Sequence, residues 1–134
     1  MTNWLFKTEP TDYSFADLQH DGHTVWDGVG NNWALQHLRQ IRSGDRLLIY
    51  HTGRDKAVMG EAVVVSEPYP DPAVGDPRRV VVDIEPVRAW AQPVPLSAIK
   101  NDPRFAEFAL VRFSRLSVMP VPGALWTRLE KMGR

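Results

Sequence analysis

No cysteine stands anywhere in these 134 residues. Disulfides and thiolate metal sites are therefore excluded, and the composition suits a reducing compartment. Net charge is lacking too: sixteen basic and sixteen acidic residues cancel at pH 7, and the pI is about 6.9. A protein that lives by gripping phosphate backbones is usually strongly basic, so wholesale polyanion binding loses ground. No apolar run approaches the roughly 18 residues that a membrane helix needs. The opening "MTNWLFKTEP" has no basic segment ahead of an apolar stretch, so no secretory signal is expected there. A cytoplasmic domain without membrane contact is the expectation.

Chemistry-bearing motifs are missing as well. There is no Gly-x-Ser-x-Gly elbow and no glycine-rich phosphate cradle. His20 and His23 stand three apart with no further ligand in view, so neither a metal nor a cofactor is expected. The acids are scattered, and no acid–base pair emerges from spacing.

What is there reads as one domain over residues 1–134, with a hydrophobic content of 43% that can build a real core. The neutral total hides an uneven spread. Residues 1–30 hold Lys7 against five carboxylates, and residues 100–134 hold seven cations against three acids. One face can therefore be locally basic.

"NWLFK" suits a first strand that stops at Glu9-Pro10. Ser14 with Asp17 marks a helix start, and Gly22 marks its end. After "TVWDGVGNN", Asn31 or Asn32 can cap a helix whose apolar face is Ala34, Leu38 and Ile41. "RLLIYH" (46–51), "AVMGEAVVV" (57–65) and "RRVVVDIEPV" (78–87) read as strands. The first puts Leu47, Ile49 and His51 on one face and Leu48 and Tyr50 on the other. "SEPYPDPAVGDP" is a Pro-Gly loop, "LSAIKNDPRF" a short helix and "RLSVMPV" a last strand. Leu125, Leu129 and Met132 form the apolar face of a terminal helix. The sum is an α+β fold: a small, strongly curved β-barrel with short flanking helices.

"WLFKTEP" (4–10), "WDGVGNNWA" (26–34), "IYHTG" (49–53), "GEAVVV" (60–65) with "YPDP" (69–72), and "SRLSVMPV" (114–121) together resemble the EVE domain family. The likeness spans nearly the whole chain, in order. It implies a PUA-like barrel related to the YTH and ASCH domains, with a pocket for a single, often modified, nucleobase. Two departures stand out. Family members often carry Arg-Asn-Tyr where this chain has Gly30-Asn31-Asn32, so the arginine and the aromatic are missing. Trp33, one position on, can supply a ring on a different side of the helix.

Each candidate has two readings. Trp26, among turn-prone residues, either plugs the core or offers an aromatic face worth ~1–3 kcal/mol per stacked base; the resemblance favours the pocket. Asn31 can read a base edge, since an amide donates and accepts side by side, or merely cap a helix. Tyr50 is a second pocket wall or a core tyrosine, and His51 a ligand contact or a buried, satisfied histidine. Lys7 and Thr8 end a strand that the resemblance puts at the pocket, though a surface pair of Lys7 with Glu9 would also account for the charge. Arg115 can hold a phosphate or bridge a carboxylate. Ser117 and Met119 can contact a modified base position, or Met119 can simply pack in the core.

The expected function is a non-catalytic nucleic-acid-binding domain, for DNA or RNA, that accommodates a single, modified nucleobase in an aromatic-lined pocket. Lys7 and Arg115 would hold the flanking phosphates. An ASCH-like ribonuclease using Lys7, Tyr50 and His51 is the enzymatic alternative. A protein-interaction adaptor with a peptide groove is the third.

Overall fold

The apolar-aromatic run near the start does form a strand. β1 spans Asn3–Thr8 and buries Trp4, Leu5 and Phe6. The computed structural model describes residues 2–134. β1 runs parallel to β3 (Arg46–His51) on one side and antiparallel to β7 (Val118–Pro120) on the other. Beyond β3 the sheet continues through β4 (Ala57–Val64) and β6 (Val80–Pro95) to β2 (Thr24–Trp26), all antiparallel. A short β5 (Tyr69–Pro70), inside the expected loop, pairs with β6.

The register slips once between β3 and β4 and twice between β4 and β6. Bulges of this kind bend a strand and increase its twist. The sheet accordingly curls into a half-barrel with short helices around it, the α+β architecture expected from the sequence. These are α1 (Phe15–Asp21), α2 (Asn32–Gln40), α3 (Leu96–Lys100), α4 (Ala109–Arg112) and α5 (Gly123–Gly133).

α1 starts as its sequence dictates. The Ser14 hydroxyl accepts from the Asp17 N–H while the Asp17 carboxylate accepts from the Ser14 N–H, a complete capping box. The helix then stops at Gly22, whose φ of 74° is left-handed. Phe15 lies over Gly60 at one bulge. A Cβ at residue 60 would sit 2.6 Å from both the Phe15 ring and the Arg88 carbonyl oxygen, so only glycine permits this approach.

Two elements differ from the sequence reading. Trp26 is the last residue of β2, opposite Val82, rather than part of a free turn. β6 runs eight residues past the expected end at 87, through Pro93 and Pro95, with Pro86 already inside the expected part. Proline removes a ladder donor, and these prolines fall where the ladder is already broken or ending. Pro86 stands at one slip, Pro93 in the unpaired stretch between Ala89 and Val94, and Pro95 at the strand end.

Two buried carboxylates tie the framework. Asp45 accepts from the Trp4 indole N–H at 2.9 Å and from the Arg42 N–H at 3.0 Å. Glu61 accepts from the Trp90 indole N–H at 2.6 Å and from two Arg134 nitrogens at 2.8 Å, fastening the end of α5 to β4.

Candidate functional site

Where β1 ends beside β2, the surface opens into a cavity of about 530 Å³. Lys7 and Thr8 line it from the end of β1, Glu9, Asp12 and Tyr13 from the turn that follows, residues 24–30 from β2 and its loop, and Ser117 from just before β7. The turn after β1 closes over the cavity because the Asp12 and Tyr13 N–H groups both donate to the Glu9 carbonyl, each at 2.9 Å. The Thr8 hydroxyl donates to the Tyr13 carbonyl at 2.7 Å and holds the same turn down.

Trp26 belongs to the core and to the cavity at once. Its ring lies 5.3 Å from Phe6 at an interplanar angle of 33°, and Tyr13 meets it edge-on at 6.3 Å. Only 8% of the residue is exposed, yet it lines the cavity. The two alternatives posed by the sequence are not exclusive. After Trp26 the chain turns at Gly28, φ 76°, and both residues border the cavity.

The cavity is acidic. Glu9, Asp12 and Asp27 line it against Lys7 alone among the cations. Glu9 is oriented by the hydroxyls of Thr11 at 3.3 Å and Thr52 at 3.1 Å, which donate to its two oxygens. None of these acids stood among the sequence-derived candidates, although "KTEP" and "WDGV" contain two of them.

Tyr50 is not a second wall of this cavity. In the β1–β3 register it pairs with Lys7, and it lines a separate cavity of about 250 Å³ on the other side of the lysine. The Lys7 Nζ donates to the Ser114 carbonyl at 2.9 Å and lies 5.8 Å from the centre of the Tyr50 ring. Lys7 is thus the partition between the two spaces, and burial pushes its pKa down.

Asn31 and Arg115 lie in a third hollow of about 290 Å³, with Trp33, Phe113 and Leu116. The Asn31 side-chain oxygen accepts from the Trp33 and Ala34 N–H groups at 2.9 and 3.1 Å. Asn31 itself, not Asn32, therefore caps α2, which spends its acceptor away from the Trp26 cavity. Trp33 is 42% exposed and stands edge-on to Phe113 at 4.8 Å. The two hollows adjoin along the chain: Gly30 and Ser117 line the first, Asn31 and Leu116 the next.

His51 and Met119 lie inside the fold. Met119 is fully buried on β7 opposite Leu5, so core packing accounts for it. His51 Nε2 accepts from the Phe15 N–H at 2.9 Å, and Nδ1 lies 2.9 Å from an Asp55 oxygen. An accepting Nε2 requires the Nδ1–H tautomer, which donates to Asp55 and pins the start of α1 to β3. The trio Lys7, Tyr50 and His51 is consequently not assembled around one space.

Residues 2–132 match the model of the EVE domain. The chain belongs to the EVE domain family. Thymocyte nuclear protein 1 of Gallus gallus is 30% identical over 125 residues, which is 74% of this chain and 52% of that protein. The chain spans about half the length of the curated relatives it matches. Among solved structures, Rpa0253 from Rhodopseudomonas palustris is 38% identical with a TM-score of 0.94, covering 99% of this chain and 93% of its own. Human THYN1, solved in complex with 5-methylcytosine-containing DNA, shares the fold at 24% identity and a TM-score of 0.89, covering 98% of this chain and 97% of its own.

In this EVE domain the glycine at position 30 has a local cause. The Arg79 guanidinium lies over Gly30 and approaches the Val29 carbonyl at 3.5 Å, so a side chain at position 30 would have to displace the end of that flexible arginine. Among the described residues, no group of three or more histidines and acids is placed to hold a metal ion. No described helix is long and apolar enough to cross a membrane.

Proposed function

We propose that this EVE domain binds nucleic acid without catalysis and takes one nucleobase, turned out of its strand, into the Trp26 cavity. The observation that carries the reading is the cavity's make-up: an aromatic wall, three carboxylates, and a single lysine at its edge. Its volume of about 530 Å³ falls in the range of about 300–1,000 Å³ typical of small-molecule sites. Human THYN1, a protein of the same fold, has been captured with DNA carrying a modified base.

The chemistry favours a particular base class. Carboxylates accept hydrogen bonds, and the exocyclic amino groups of cytosine, adenine and guanine donate them, whereas uracil and thymine have none. Trp26 supplies the stack, Ser117 and Thr8 lie at the rim, and room remains for a substituent on the ring. The acids would repel a phosphate, so the base enters and the backbone stays outside. Extruding a base costs a few kcal/mol, which favours single strands and damaged pairs over intact duplex. Trp33, exposed beside Phe113, offers a face on which the adjacent base can stack.

Equilibrium titration with a panel of free nucleosides, plain and modified, tests this. Amino-bearing nucleosides should bind more tightly than uridine or thymidine. Equal affinity across the panel, or none for any nucleoside, would overturn the reading.

A further inference from the structure

The sequence holds only four lysines, and three of them, Lys7, Lys56 and Lys100, line the cavity of about 250 Å³ beside Tyr50. No carboxylate lines it. None of the ion pairs among the described residues involves a lysine, so nothing within the protein neutralises the three charges at salt-bridge distance. Two acids are close by: Glu9, held by Thr52 on the side of the Trp26 cavity, and Asp55, which lines an adjoining hollow with Lys56 and Lys100. The two adjacent spaces thus have opposite character, with Lys7 as their common wall.

The framework that assembles the lysines is specific. Lys56 has a φ of 42°, the one left-handed non-glycine backbone among the described residues. That conformation is costly for a side chain with a Cβ and persists where surrounding structure enforces it. Here the Lys56 carbonyl accepts from the Leu96 N–H at 2.7 Å, which docks the start of α3 against the entry to β4. Lys100 sits one turn on, at the end of α3, and so faces the same space. Tyr50 adds a phenol that is protonated and able to donate at neutral pH, and burial pushes its pKa further up. Three ammonium groups around one small space repel one another, Lys7 from a half-buried position and Lys56 and Lys100 from exposed ones, and an anion between them relieves that repulsion.

We propose that this cavity is a phosphate site, with Lys7, Lys56 and Lys100 as its charge partners and Tyr50 as a neutral donor. Resting on the reading of the Trp26 cavity as a base site, it takes the phosphate attached to the nucleotide whose base lies across Lys7. Two sources share that chemistry: an internal phosphodiester of a strand and the monophosphate of a free nucleotide.

The test compares wild type with Lys56→Gln/Lys100→Gln, two exposed positions outside the base cavity. Each is titrated with a nucleoside, its 3′- and 5′-monophosphates and a short single strand across a salt series. Inorganic phosphate is added separately while the Thr52 and Gly53 amides are followed by NMR. Expected results are unchanged nucleoside affinity, loss of the affinity gained from the phosphate, and a strand-binding salt slope flatter by ~0.7 per lysine removed. Phosphate should shift the Gly53 amide in wild type only. A gain confined to strands assigns the site to a phosphodiester, and one shared by monophosphates assigns it to nucleotides as well. If nucleoside binds but the variant keeps the wild-type slope and phosphate gain, the phosphate site is wrong and the base site stands. If no nucleoside binds yet phosphate shifts Gly53 in wild type alone, the phosphate site stands and the base site falls.

Discussion

The Lys7 backbone N–H donates to the Ser117 carbonyl at 2.9 Å, joining β1 to the segment that leads into β7. Both residues line the Trp26 cavity, while the Lys7 ammonium reaches away to the Ser114 carbonyl. One backbone hydrogen bond and one side-chain hydrogen bond therefore hold the wall between an acidic and a basic space. Residues 110 positions apart in the chain meet to make it, and neither space exists without the pairing of β1 with both β3 and β7.

Replacing Trp26 should affect binding and folding together. Loss of the stack weakens nucleoside affinity by ~1–3 kcal/mol, roughly five- to 150-fold. Because the ring also packs on Phe6, Trp26→Ala should cost a further ~3–5 kcal/mol in stability. Trp26→Phe keeps most of the packing and separates the two effects. Denaturant melts paired with nucleoside titration would show a small stability loss and a clear binding loss for the phenylalanine variant.

Asn31→Ala removes a helix cap and nothing from the Trp26 cavity. Stability should fall by ~1 kcal/mol. The ratio of affinities for two different bases should stay as in wild type. A change in that ratio without a stability loss would return Asn31 to the role of base reader.

Trp33→Ala acts only on strands. The ring is exposed and lies outside the base cavity, so nucleoside affinity should hold and the melting temperature should barely move. Affinity for an oligonucleotide of several residues should drop by ~1–3 kcal/mol for the lost stack. Equal behaviour of nucleoside and oligonucleotide would mean that the strand does not cross this hollow.

Acid should loosen the framework through Glu61. Burial pushes its carboxyl up, but hydrogen bonds from Arg134 and Trp90 outweigh this and the pKa ends below the ordinary 4.5. With the folded value below the unfolded one, the contribution is complete above about 4.5 and is lost as pH falls through the folded pKa. Glu61→Gln should therefore flatten the acid limb of a stability–pH curve below pH 4.5, with hydrogen exchange at the end of α5 already faster at pH 7. An acid limb identical to wild type would exclude this ion pair as its source.

Local signals were readable in the sequence where the chemistry is local. Ser14, Asp17 and Gly22 delimit α1 by capping alone, and the segment "RLLIYH" coincides with β3, Arg46–His51. The opposite facing of Tyr50 and His51 also follows from the alternation of side chains along a strand. What escaped depends on contacts far along the chain. The first half of β6 is legible as a strand, but its continuation past residue 87, with Pro93 and Pro95, carries no strand signal until the bulges of β4 are known. His51 looks available until Phe15 claims its Nε2, and Trp26 and Tyr50 look like one cage until Lys7 divides them. Lys56 and Lys100, 44 positions apart, carry no sequence signal of their meeting.

The most direct measurement sets a short single strand bearing a preferred base against the same strand with that one base removed to leave an abasic site. If the Trp26 cavity holds the base, removal should weaken binding by roughly five- to 150-fold, the worth of one stack, at constant salt. The salt slope should be unchanged, because the phosphates remain. Equal affinity for the intact and abasic strands would contradict base binding in this cavity and leave a protein that holds nucleic acid by its backbone alone.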